Sequence, residues 1–290
     1  MRAVIVGAGA WGTAFAQLLR ERSHDVAVAR RETIDDAPYE EADLVVLAVP
    51  SVAFREALGH VRGTAPILSL VKGLDPETGD RLSTLVTGRP VAVLSGPNMA
   101  EEVVAGLPGA AVIASRDEAL ALRLQAAVNS AAFRIYVNGD LTGVELCGAA
   151  KNVIALAAGG VDGLRLGDNA KAALITRGLV EMARLGEACG AASDTFSGLA
   201  GMGDLIVSCW HPTGRNRRAG ELIARGASPA EAKAEIGQVV EGLTTAPVLR
   251  DLSRRIGVEL PITDGVCAVL DGMPLHELAG SLMGRRPTEE

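Results

Sequence analysis

The fold is decided by a stretch near the start of the chain, Ala3-Val4-Ile5-Val6-Gly7-Ala8-Gly9-Ala10-Trp11-Gly12. Its apolar run predicts a buried strand, and three glycines in the spacing Gly-x-Gly-x-x-Gly lead from it into a helical segment. In this context the first glycine makes a tight turn, the second lets the backbone approach a pyrophosphate, and the third lets helix and strand pack closely. We therefore expect Gly7, Gly9 and Gly12 to bind a dinucleotide at the helix N-terminus. The alternative is a glycine-rich turn without a ligand.

Six further apolar runs continue the pattern along the first half of the chain, at 26–29, 44–49, 66–69, 91–94, 110–113 and 133–137. The first of them are continuous rather than alternating in polarity, as in parallel strands covered on both faces. Strands that alternate with helical segments predict an α/β fold with a doubly wound, mainly parallel sheet of the Rossmann type. The later runs lie further apart and are compatible with a mixed edge.

The strand signal ends at Asn138, and the remaining chain is typical of helices. The predicted helices span 144–158, 169–189, 217–225, 229–236, 244–256 and 262–270. Several are followed by a glycine, which favours the left-handed residue that closes a helix. The sequence thus predicts two domains, a dinucleotide-binding Rossmann-type domain at 1–138 and an all-helical substrate-binding and catalytic domain at 139–290.

Composition excludes several classes of protein. The 290 residues carry a net charge of −7, which argues against a nucleic-acid or anionic-membrane binder. The longest charge-free stretch, 3–19, and the next apolar one, 103–115, are both shorter than the roughly 20 residues that span a bilayer. The N-terminus shows no signal peptide, and four scattered cysteines predict neither disulfides nor a metal site. We expect a cytoplasmic protein without a metal.

The end of the second strand bears on the choice of cofactor. A carboxylate there binds the ribose hydroxyl of NAD, whereas arginine accommodates the 2′-phosphate of NADP. The strand at 26–29 runs into Arg30 and Arg31, with Glu32 just beyond. The arginines favour NADP. In the alternative, they are a solvated pair and Glu32 binds the ribose of NAD.

Three polar loops follow successive predicted strands. They are Pro50-Ser51, the segment from Ser69 to Gly73 that contains Lys72, and the segment from Ser95 to Ala100. Open α/β sheets bind ligands at the carboxyl ends of their strands, so these loops are expected to meet at one crevice. Lys72 is then either an active-site residue or a surface lysine.

Lys151 is the most unusual residue of the second half. Together with Asn152 it interrupts a helix that is apolar or small on every side, and such a helix is buried. Burial lowers the pKa of a lysine, which suits a proton donor near neutral pH. The alternative is a lysine that extends to solvent.

Charged side chains that suit a catalytic ammonium and an anion follow later. Asp204 comes after a glycine-rich segment and either pairs with an ammonium group or caps the next helix. Arg215, Arg217 and Arg218 form a guanidinium cluster suited to a phosphate or carboxylate. The alternative is a basic helix face.

Over nearly its whole length the chain resembles the bacterial NAD(P)-dependent glycerol-3-phosphate dehydrogenases. The matching stretches are 7–14, 47–51, 69–73, 94–103, 143–158, 169–182, 195–209, 215–220 and 239–244. Of these, 143–152 and 169–182 are the most specific, because related hydroxyacid dehydrogenases do not share them. In contrast to the family, Asn98 stands in place of Ser or Thr, Gly214 in place of Ser, and the segment 33–43 is shorter.

The resemblance implies a role for each matching site residue. Lys151 is expected to exchange a proton with the C2 hydroxyl, assisted by Lys72 and Asp204. The implied substrate contacts are Lys72, Gly96, Asn98, Lys151, Asp204, Gly214, Arg215 and Asn216. The implied cofactor contacts beyond the glycines are Ala10, Trp11, Arg30, Arg31, Lys72, Ala100, Arg215, Val239 and Glu241.

The resemblance also implies an activity. The expected reaction interconverts dihydroxyacetone phosphate and sn-glycerol 3-phosphate with NADP or NAD, which supplies glycerol 3-phosphate for phospholipid synthesis, and a homodimer is suggested. The alternatives are another hydroxyacid or phosphosugar dehydrogenase of this architecture and a non-catalytic dinucleotide sensor. A sensor has no need of a buried proton donor, which argues against the second alternative.

Overall fold

Seven strands form one sheet in the first half of the chain. The structure is a computed structural model, and it describes residues 1–277, so the end of the predicted second domain (278–290) lies outside the described residues. The strands are β1 Arg2–Val6, β2 Asp25–Ala29, β3 Leu44–Leu47, β4 Ile67–Ser69, β5 Val91–Ser95, β6 Gly109–Ser115 and β7 Phe133–Asn138. Their order is β2-β1-β3-β4-β5-β6-β7. Each of the seven predicted strands is present.

The register of the sheet follows from its apolar residues. Ile5 lies between Val28 of β2 and Val46 of β3, and the strands from β2 to β5 run parallel. β6 pairs antiparallel with β5, and β7 runs parallel to β6, so the mixed edge is present. The chain reverses its direction of winding between β1 and β3, which is the point where doubly wound sheets bind ligands.

Helices cover the sheet and make up the second half. The helices of the first half are α1 Ala10–Glu21, α2 Phe54–His60, α3 Ala100–Val104 and α4 Glu118–Val128. The helices of the second half are α5 Leu141–Gly163, α6 Gly167–Ala188, α7 Asp194–Ser197, α8 Asp204–Trp210, α9 Arg215–Ala224, α10 Pro229–Ile236, α11 Glu241–Ile256 and α12 Pro261–Leu270. Two connections, β2–β3 and β4–β5, contain only 3-10 turns (Arg31–Thr33, Tyr39–Glu41 and Leu82–Leu85) in place of an α-helix.

Five predicted helices begin one to three residues earlier than the sequence pattern indicates, and for three of them the early start bears on the site. α5 begins at Leu141, because the Asp140 side chain caps the helix by accepting a hydrogen bond from the Gly143 amide at 2.8 Å. α9 begins at Arg215 and α11 at Glu241, each without a side-chain cap. As a result, Arg215, Asn216 and Glu241 lie in the first turns of helices, where backbone N–H groups are unpaired.

The core has three parts. Two apolar clusters cover the faces of the sheet, one beneath α1 and α4 and the other beneath α2. The third surrounds α5, whose side chains are buried on nearly every side by α6, α8, α9, α11 and α12. By length and composition alone α5 is apolar enough to cross a membrane, but 89% of its most apolar window is buried inside the protein. It is the central helix of the helical half.

Close backbone contact fixes α9 against α5. A Cβ atom built on Gly220 of α9 would lie 1.8 Å from the carbonyl oxygen of Leu156, and one built on Gly159 of α5 would lie 1.8 Å from that of Arg217. Only glycine permits this approach at either position. The contact therefore places the first turn of α9 at a fixed position relative to the helix that carries Lys151.

The cysteines remain free thiols. Cys147, Cys209 and Cys267 are buried, while Cys189 is half-buried. Burial raises the pKa of the Cys209 thiol to about 12 and that of Cys267 to about 11, in each case as the largest cause. The thiols that the sequence predicts to be buried are therefore unreactive at neutral pH, with Cys189 the partial exception.

Candidate active site

The carboxyl ends of four parallel strands meet at one edge of the sheet. Gly7 follows β1, Ser51 follows β3 after three intervening residues, Lys72 follows β4 after two, and Gly96 follows β5 directly. The helical half faces the same edge, since Glu241 of α11 binds Ser51 and Asp204 of α8 binds Lys72. The three polar loops predicted to converge therefore do so.

The glycine-rich turn has the backbone that its sequence predicts. Gly7 has a φ of +112°, and a Cβ atom there would lie 2.4 Å from the Ala48 carbonyl oxygen. A Cβ atom on Gly12 would lie 2.0 Å from the Gly7 carbonyl oxygen. Both positions thus require glycine for the turn and for the packing of α1 against the sheet.

Gly9 differs from the other two glycines. A Cβ atom on Gly9 would meet no protein atom within 4 Å, and the residue is exposed at the N-terminus of α1. That helix has no side-chain cap and no acidic residue in its first turn, so its free N–H groups and dipole favour an anion. An open, uncapped helix N-terminus beside Gly9 fits the pyrophosphate of a dinucleotide.

The neighbours of Gly9 in α1 are placed differently. Ala10 is exposed in the first turn, whereas the Trp11 ring packs edge-on against Phe15 and Phe133, at 6.2 and 6.3 Å between ring centroids. The indole Nε1 of Trp11 is buried without a hydrogen-bond partner. Trp11 thus has a packing role and a free donor close to the turn.

The two arginines after β2 are exposed. Arg31 forms a surface ion pair with Glu56 at 3.2 Å. The Arg30 backbone N–H donates a hydrogen bond to the Thr33 hydroxyl. Glu32 is also exposed. The geometry leaves the Arg30 guanidinium accessible at the end of β2, where the ribose of a dinucleotide lies in this fold.

Asp204 joins the two lysines that the sequence singles out. Its Oδ1 atom accepts a hydrogen bond from Lys151 Nζ at 2.6 Å, and its Oδ2 atom accepts one from Lys72 Nζ at 2.7 Å. Lys151 also donates to the Ser208 hydroxyl at 2.8 Å. Asp204 is the first residue of α8 and pairs with ammonium groups, so the alternative of a helix cap is wrong.

Burial sets the electrostatics of this centre. Lys151 is 6% exposed and Asp204 3% exposed. Burial lowers the pKa of Lys151 to about 8, with Asp204 opposing the shift and the Lys72 charge adding to it. Burial alone would raise the pKa of Asp204, but the Lys151 and Lys72 charges outweigh it and hold that pKa below its ordinary value. Lys151 is therefore a buried acid poised near neutral pH, and the alternative in which it extends to solvent is wrong.

Lys72 connects this centre to the loop after β5. Its Nζ atom donates to Asn98 Oδ1 at 3.0 Å and to the Gly96 carbonyl oxygen at 3.2 Å. Asn98 is 9% exposed, and its Nδ2 atom has no hydrogen-bond partner. Lys72 is thus a partly buried lysine bound to Asp204 and is not a surface lysine, and its role in the active site stays a prediction.

A chain of amides joins the lysine centre to α9. Asn152 Nδ2 donates to the Lys72 carbonyl oxygen at 2.9 Å, and Asn216 Nδ2 donates to Asn152 Oδ1 at 2.8 Å. The Gly242 amide then donates to Asn216 Oδ1 at 2.8 Å. This chain fixes Asn216 and the start of α9 beside the helix that carries Lys151.

Arg215 and Glu241 hold the loop before α11. Arg215 Nη1 donates to the Val239 carbonyl oxygen at 3.0 Å. Glu241 accepts hydrogen bonds from the Ser51 amide at 3.0 Å and from the Ser51 hydroxyl at 2.6 Å. Gly214 is the N-cap residue of α9 and has no side chain to cap the helix. Ala100 is the first residue of α3.

Sequence reasoning missed Ser208, and it named Asn152 and Ser51 without predicting the contacts that they make. Ser208 accepts from Lys151, Asn152 orients Asn216, and Ser51 binds Glu241. A signal for Ser208 was present, because a residue four positions after Asp204 shares its helix face. Within residues 1–277, no group of three or more His, Cys, Asp or Glu side chains is arranged to hold a metal ion.

A doubly wound sheet with an open glycine-rich turn, faced by a buried acid on a helical layer, is the architecture of a dinucleotide-dependent dehydrogenase. Two family models match the chain. The one described as NAD-dependent glycerol-3-phosphate dehydrogenase N-terminus matches residues 34–121, and the one described as the C-terminus of the same enzyme matches residues 140–278.

Individual relatives agree over the whole length. A protein of Gloeobacter violaceus named glycerol-3-phosphate dehydrogenase [NAD(P)+] is 43% identical over 100% of this chain and 99% of its own. One of Symbiobacterium thermophilum with the same name is 44% identical, over 100% of this chain and 96% of its own. The crystal structure of glycerol-3-phosphate dehydrogenase from Coxiella burnetii superposes with a TM-score of 0.93 at 34% identity, covering 98% of this chain and 99% of that one. The chain belongs to the NAD-dependent glycerol-3-phosphate dehydrogenase family.

Proposed function

We propose that this enzyme transfers a hydride between a nicotinamide cofactor and C2 of a three-carbon phosphate, interconverting dihydroxyacetone phosphate and sn-glycerol 3-phosphate. Membership of the family supports this reaction over the alternatives of a different hydroxyacid dehydrogenase or a dinucleotide sensor. The observation that carries the proposal is the buried Lys151–Asp204–Lys72 centre, which bears a net positive charge beside the ligand edge of the sheet. The bound nicotinamide supplies or accepts the hydride.

Lys151 donates the proton in the reducing direction. Its ammonium group has three N–H donors, and Asp204 and Ser208 use two of them, so one remains for the C2 oxygen of the substrate. As the hydride arrives, negative charge grows on that oxygen, and the proton moves to it from Nζ. The Asp204 carboxylate stays ionised and holds Nζ in place through the transfer.

Lys72 contributes the second positive charge of the centre. Its ammonium group donates to Asp204 Oδ2, the oxygen that Lys151 does not contact. From there its positive charge stabilises the negative charge that forms on the C2 oxygen. Gly96 and Asn98, which Lys72 binds, complete the side of the site that faces the sheet.

The first turn of α9 binds the phosphate in this proposal. The Arg215 guanidinium is exposed, Gly214 brings no side-chain cap, and the first turn carries no acidic residue, so both charge and free N–H groups favour an anion. Asn216 is fixed by Asn152 and Gly242 and retains one N–H for a phosphate oxygen.

The cofactor is assigned to the edge between β1 and β3. Gly7, Gly9, Ala10 and Gly12, with Trp11, would hold the pyrophosphate, and Arg30 and Arg31 would donate hydrogen bonds to the 2′-phosphate of NADP. Ala100, Lys72, Arg215, Val239 and Glu241 lie on the nicotinamide side. NADP is favoured over NAD because an accessible guanidinium follows β2.

One absorbance assay tests both parts of the proposal. In one set of reactions the protein is mixed with dihydroxyacetone phosphate and either NADPH or NADH. In a second set it is mixed with a 3-hydroxy acid and either oxidised cofactor. We expect oxidation of NADPH that depends on dihydroxyacetone phosphate. Activity on the 3-hydroxy acid alone contradicts the substrate, and binding of NADPH without any turnover favours the sensor.

Arg30→Ala tests the cofactor preference. Removing a charge-assisted contact to the 2′-phosphate is expected to lower kcat/KM for NADPH about tenfold or more and to leave NADH nearly unchanged. Arg116→Ala is the matched control, because Arg116 is exposed after the antiparallel strand β6, at the opposite edge of the sheet. A clear preference of the wild type for NADH contradicts the assignment.

We also propose a cytoplasmic location and a role in supplying glycerol 3-phosphate for phospholipid synthesis, which rest on the resemblance and on the buried position of α5. The homodimer and the division into domains at 1–138 and 139–290 stay predictions. Gel filtration with light scattering measures the first, and limited proteolysis around Asn138 measures the second.

A further inference from the structure

Lys171 is a second buried lysine of the helical half, and the proposed reaction gives it no role. It lies in the stretch 169–182, which the sequence singles out, and it is only 5% exposed. A lysine is rarely buried to this extent unless its charge is paired. Its Nζ atom donates to both carboxylate oxygens of Asp162, at 3.0 and 2.8 Å. Lys171 is therefore fixed against the last turn of α5.

Asp162 connects Lys171 to α9. The Nε atom of Arg217 lies 2.8 Å from Asp162 Oδ2, so this one carboxylate pairs with two cations. Arg217 also pairs with Glu221 at 3.2 Å and donates a hydrogen bond to the Pro212 carbonyl oxygen at 3.4 Å. The protein thus compensates the charge of Arg217 internally, and this member of the predicted guanidinium cluster holds the loop before α9.

Trp210 connects Lys171 to α8. The Lys171 Nζ atom lies 4.8 Å from the centroid of the Trp210 ring, which is the arrangement of a cation–π interaction. Trp210 is the last residue of α8, the helix that carries Asp204 and Ser208. The indole is 47% exposed, so the lysine supplies a contact that orients a ring at the surface.

These contacts hold both ends of the loop at 211–214, which joins α8 to α9. Trp210 precedes the loop, and Arg217 follows it and binds a carbonyl group within it. The glycine contact between α5 and α9 comes after the loop and does not include it. Lys171 is therefore the point where the supports of both ends meet.

The loop ends at the proposed phosphate site. Its last residue, Gly214, is the N-cap of α9, and Arg215 and Asn216 follow in the first turn. A helix N-terminus binds an anion through N–H groups that the flanking chain has to direct at it, and such preorganisation raises affinity. A change in the position of the loop therefore alters the phosphate site, while Lys151 keeps its own hydrogen bonds.

We propose that Lys171 is a positioning residue for the phosphate end of the substrate. It contacts neither substrate nor cofactor and acts through Asp162 and Trp210, which hold the loop at 211–214. The inference rests on the proposed function, in which the first turn of α9 binds the phosphate. Loss of Lys171 then weakens the binding of phosphate and leaves proton transfer unchanged.

Lys171→Met tests the assignment, because it removes the charge, keeps an unbranched side chain and leaves Asp162 paired with Arg217. KM for dihydroxyacetone phosphate, the inhibition constant of inorganic phosphate and kcat are measured with NADPH. We expect both constants to rise by the same factor of about five or more, with kcat within about twofold of the wild type. The pH profile of reduction is expected to keep its falling limb near pH 8, which belongs to Lys151.

Three further variants complete the experiment. Lys171→Arg keeps the cation and is expected to recover most of the phosphate affinity. Trp210→Leu removes an exposed ring while the buried charges stay paired, and it is expected to raise the same two constants. Lys233→Met, at an exposed position of α10, is the matched control and is expected to change neither. Urea denaturation and NADPH binding report on the folding of each variant.

The outcomes separate a positioning role from a structural one. A loss of stability in Lys171→Met with both constants unchanged overturns the assignment. A rise in KM without weaker inhibition by inorganic phosphate, or a displaced falling limb, overturns it as well. If Lys171→Met does not fold, unchanged constants in Trp210→Leu overturn it. Failure of the wild type on dihydroxyacetone phosphate overturns the proposed function, and the assignment with it.

Discussion

Lys151 and Asp204 form a hydrogen bond of 2.6 Å between Nζ and Oδ1, in a region where both side chains are almost wholly buried. A buried carboxylate and ammonium stabilise each other's charges, because each alone would be costly to remove from water. The pair therefore keeps an ammonium group available inside an otherwise apolar layer. Both the proton that the reaction needs and the pH range in which it is available depend on this pair.

The first prediction concerns Lys151 itself. Lys151→Met removes the proton donor while keeping an unbranched side chain in the same space. Loss of a general acid lowers kcat by a factor of about 10²–10⁴, and we expect at least this loss, with NADPH affinity nearly unchanged. Steady-state kinetics and fluorescence titration of NADPH measure the two quantities. Near-normal turnover by the variant is incompatible with the role of Lys151.

The second prediction is a pH dependence. Burial lowers the pKa of Lys151 to about 8, so the ammonium form predominates below that pH and is lost above it. Reduction requires the proton, and its kcat is expected to be level below about pH 8 and to fall above it. Oxidation requires the neutral amine, and its kcat is expected to rise through the same range. Profiles in both directions that lack these opposite slopes contradict the assignment.

Asp204→Asn extends this test. The carboxylate raises the pKa of Lys151, so its removal lowers that pKa further and moves the falling limb of reduction to lower pH. A structural role alone would change the rate without moving the limb. The same substitution leaves two lysine charges without a counter-ion, and we expect a loss of stability of about 3–5 kcal/mol in urea denaturation.

The third prediction separates binding from folding at the glycine-rich turn. Gly9 has φ −71° and ψ 179°, which alanine adopts freely, and its Cβ would meet no protein atom within 4 Å. Gly9→Ala is expected to fold with unchanged stability and to bind NADPH more weakly, because the methyl group enters the space assigned to the pyrophosphate. Gly7→Ala is the contrast, since it strains the backbone and contacts the Ala48 carbonyl. Unaltered NADPH affinity in Gly9→Ala would argue against this position for the cofactor.

The fourth prediction concerns the contact between α5 and α9. Gly220→Ala forces a Cβ atom against the Leu156 carbonyl oxygen, and overpacking of this kind costs about 1–3 kcal/mol or more. Gly59→Ala is the matched control, because Gly59 lies exposed in α2 with open space around it. There alanine is expected to stabilise the helix by roughly 0.5–1 kcal/mol. Urea midpoints of both variants measure the effect, and equal midpoints contradict it.

Much of this site follows from local sequence. The glycines of the first turn are readable because each backbone requirement falls within six residues, and Lys151 is conspicuous because one charge interrupts an apolar helix. The pairing of Asp204 with both lysines is not readable, because it joins residues 53 and 132 positions apart in the chain. Asn152 with Asn216 and Ser51 with Glu241 depend likewise on how the helical half packs onto the sheet.

The residues at which helices begin were also predicted poorly from the sequence. The sequence pattern places α5 at 144 and α11 at 244, because apolar periodicity begins there, whereas the first turns are set by capping and by neighbouring loops. The error matters for function, since the missed first turns carry Asn216 and Glu241. The 3-10 turns in the β2–β3 and β4–β5 connections could not be predicted for a similar reason, because short turns have no hydrophobic periodicity.

The glycine contact between α5 and α9 has a consequence for which molecules the enzyme accepts. Backbone in van der Waals contact cannot adjust by rotating side chains, so the spacing between the backbone that carries Lys151 and the backbone that carries Arg215 is fixed. The two helices therefore hold these two segments at a set distance from each other. We expect this fixed spacing to favour substrates in which a set number of atoms separates the reacting carbonyl from the anionic group, and to disfavour longer or shorter phosphate esters.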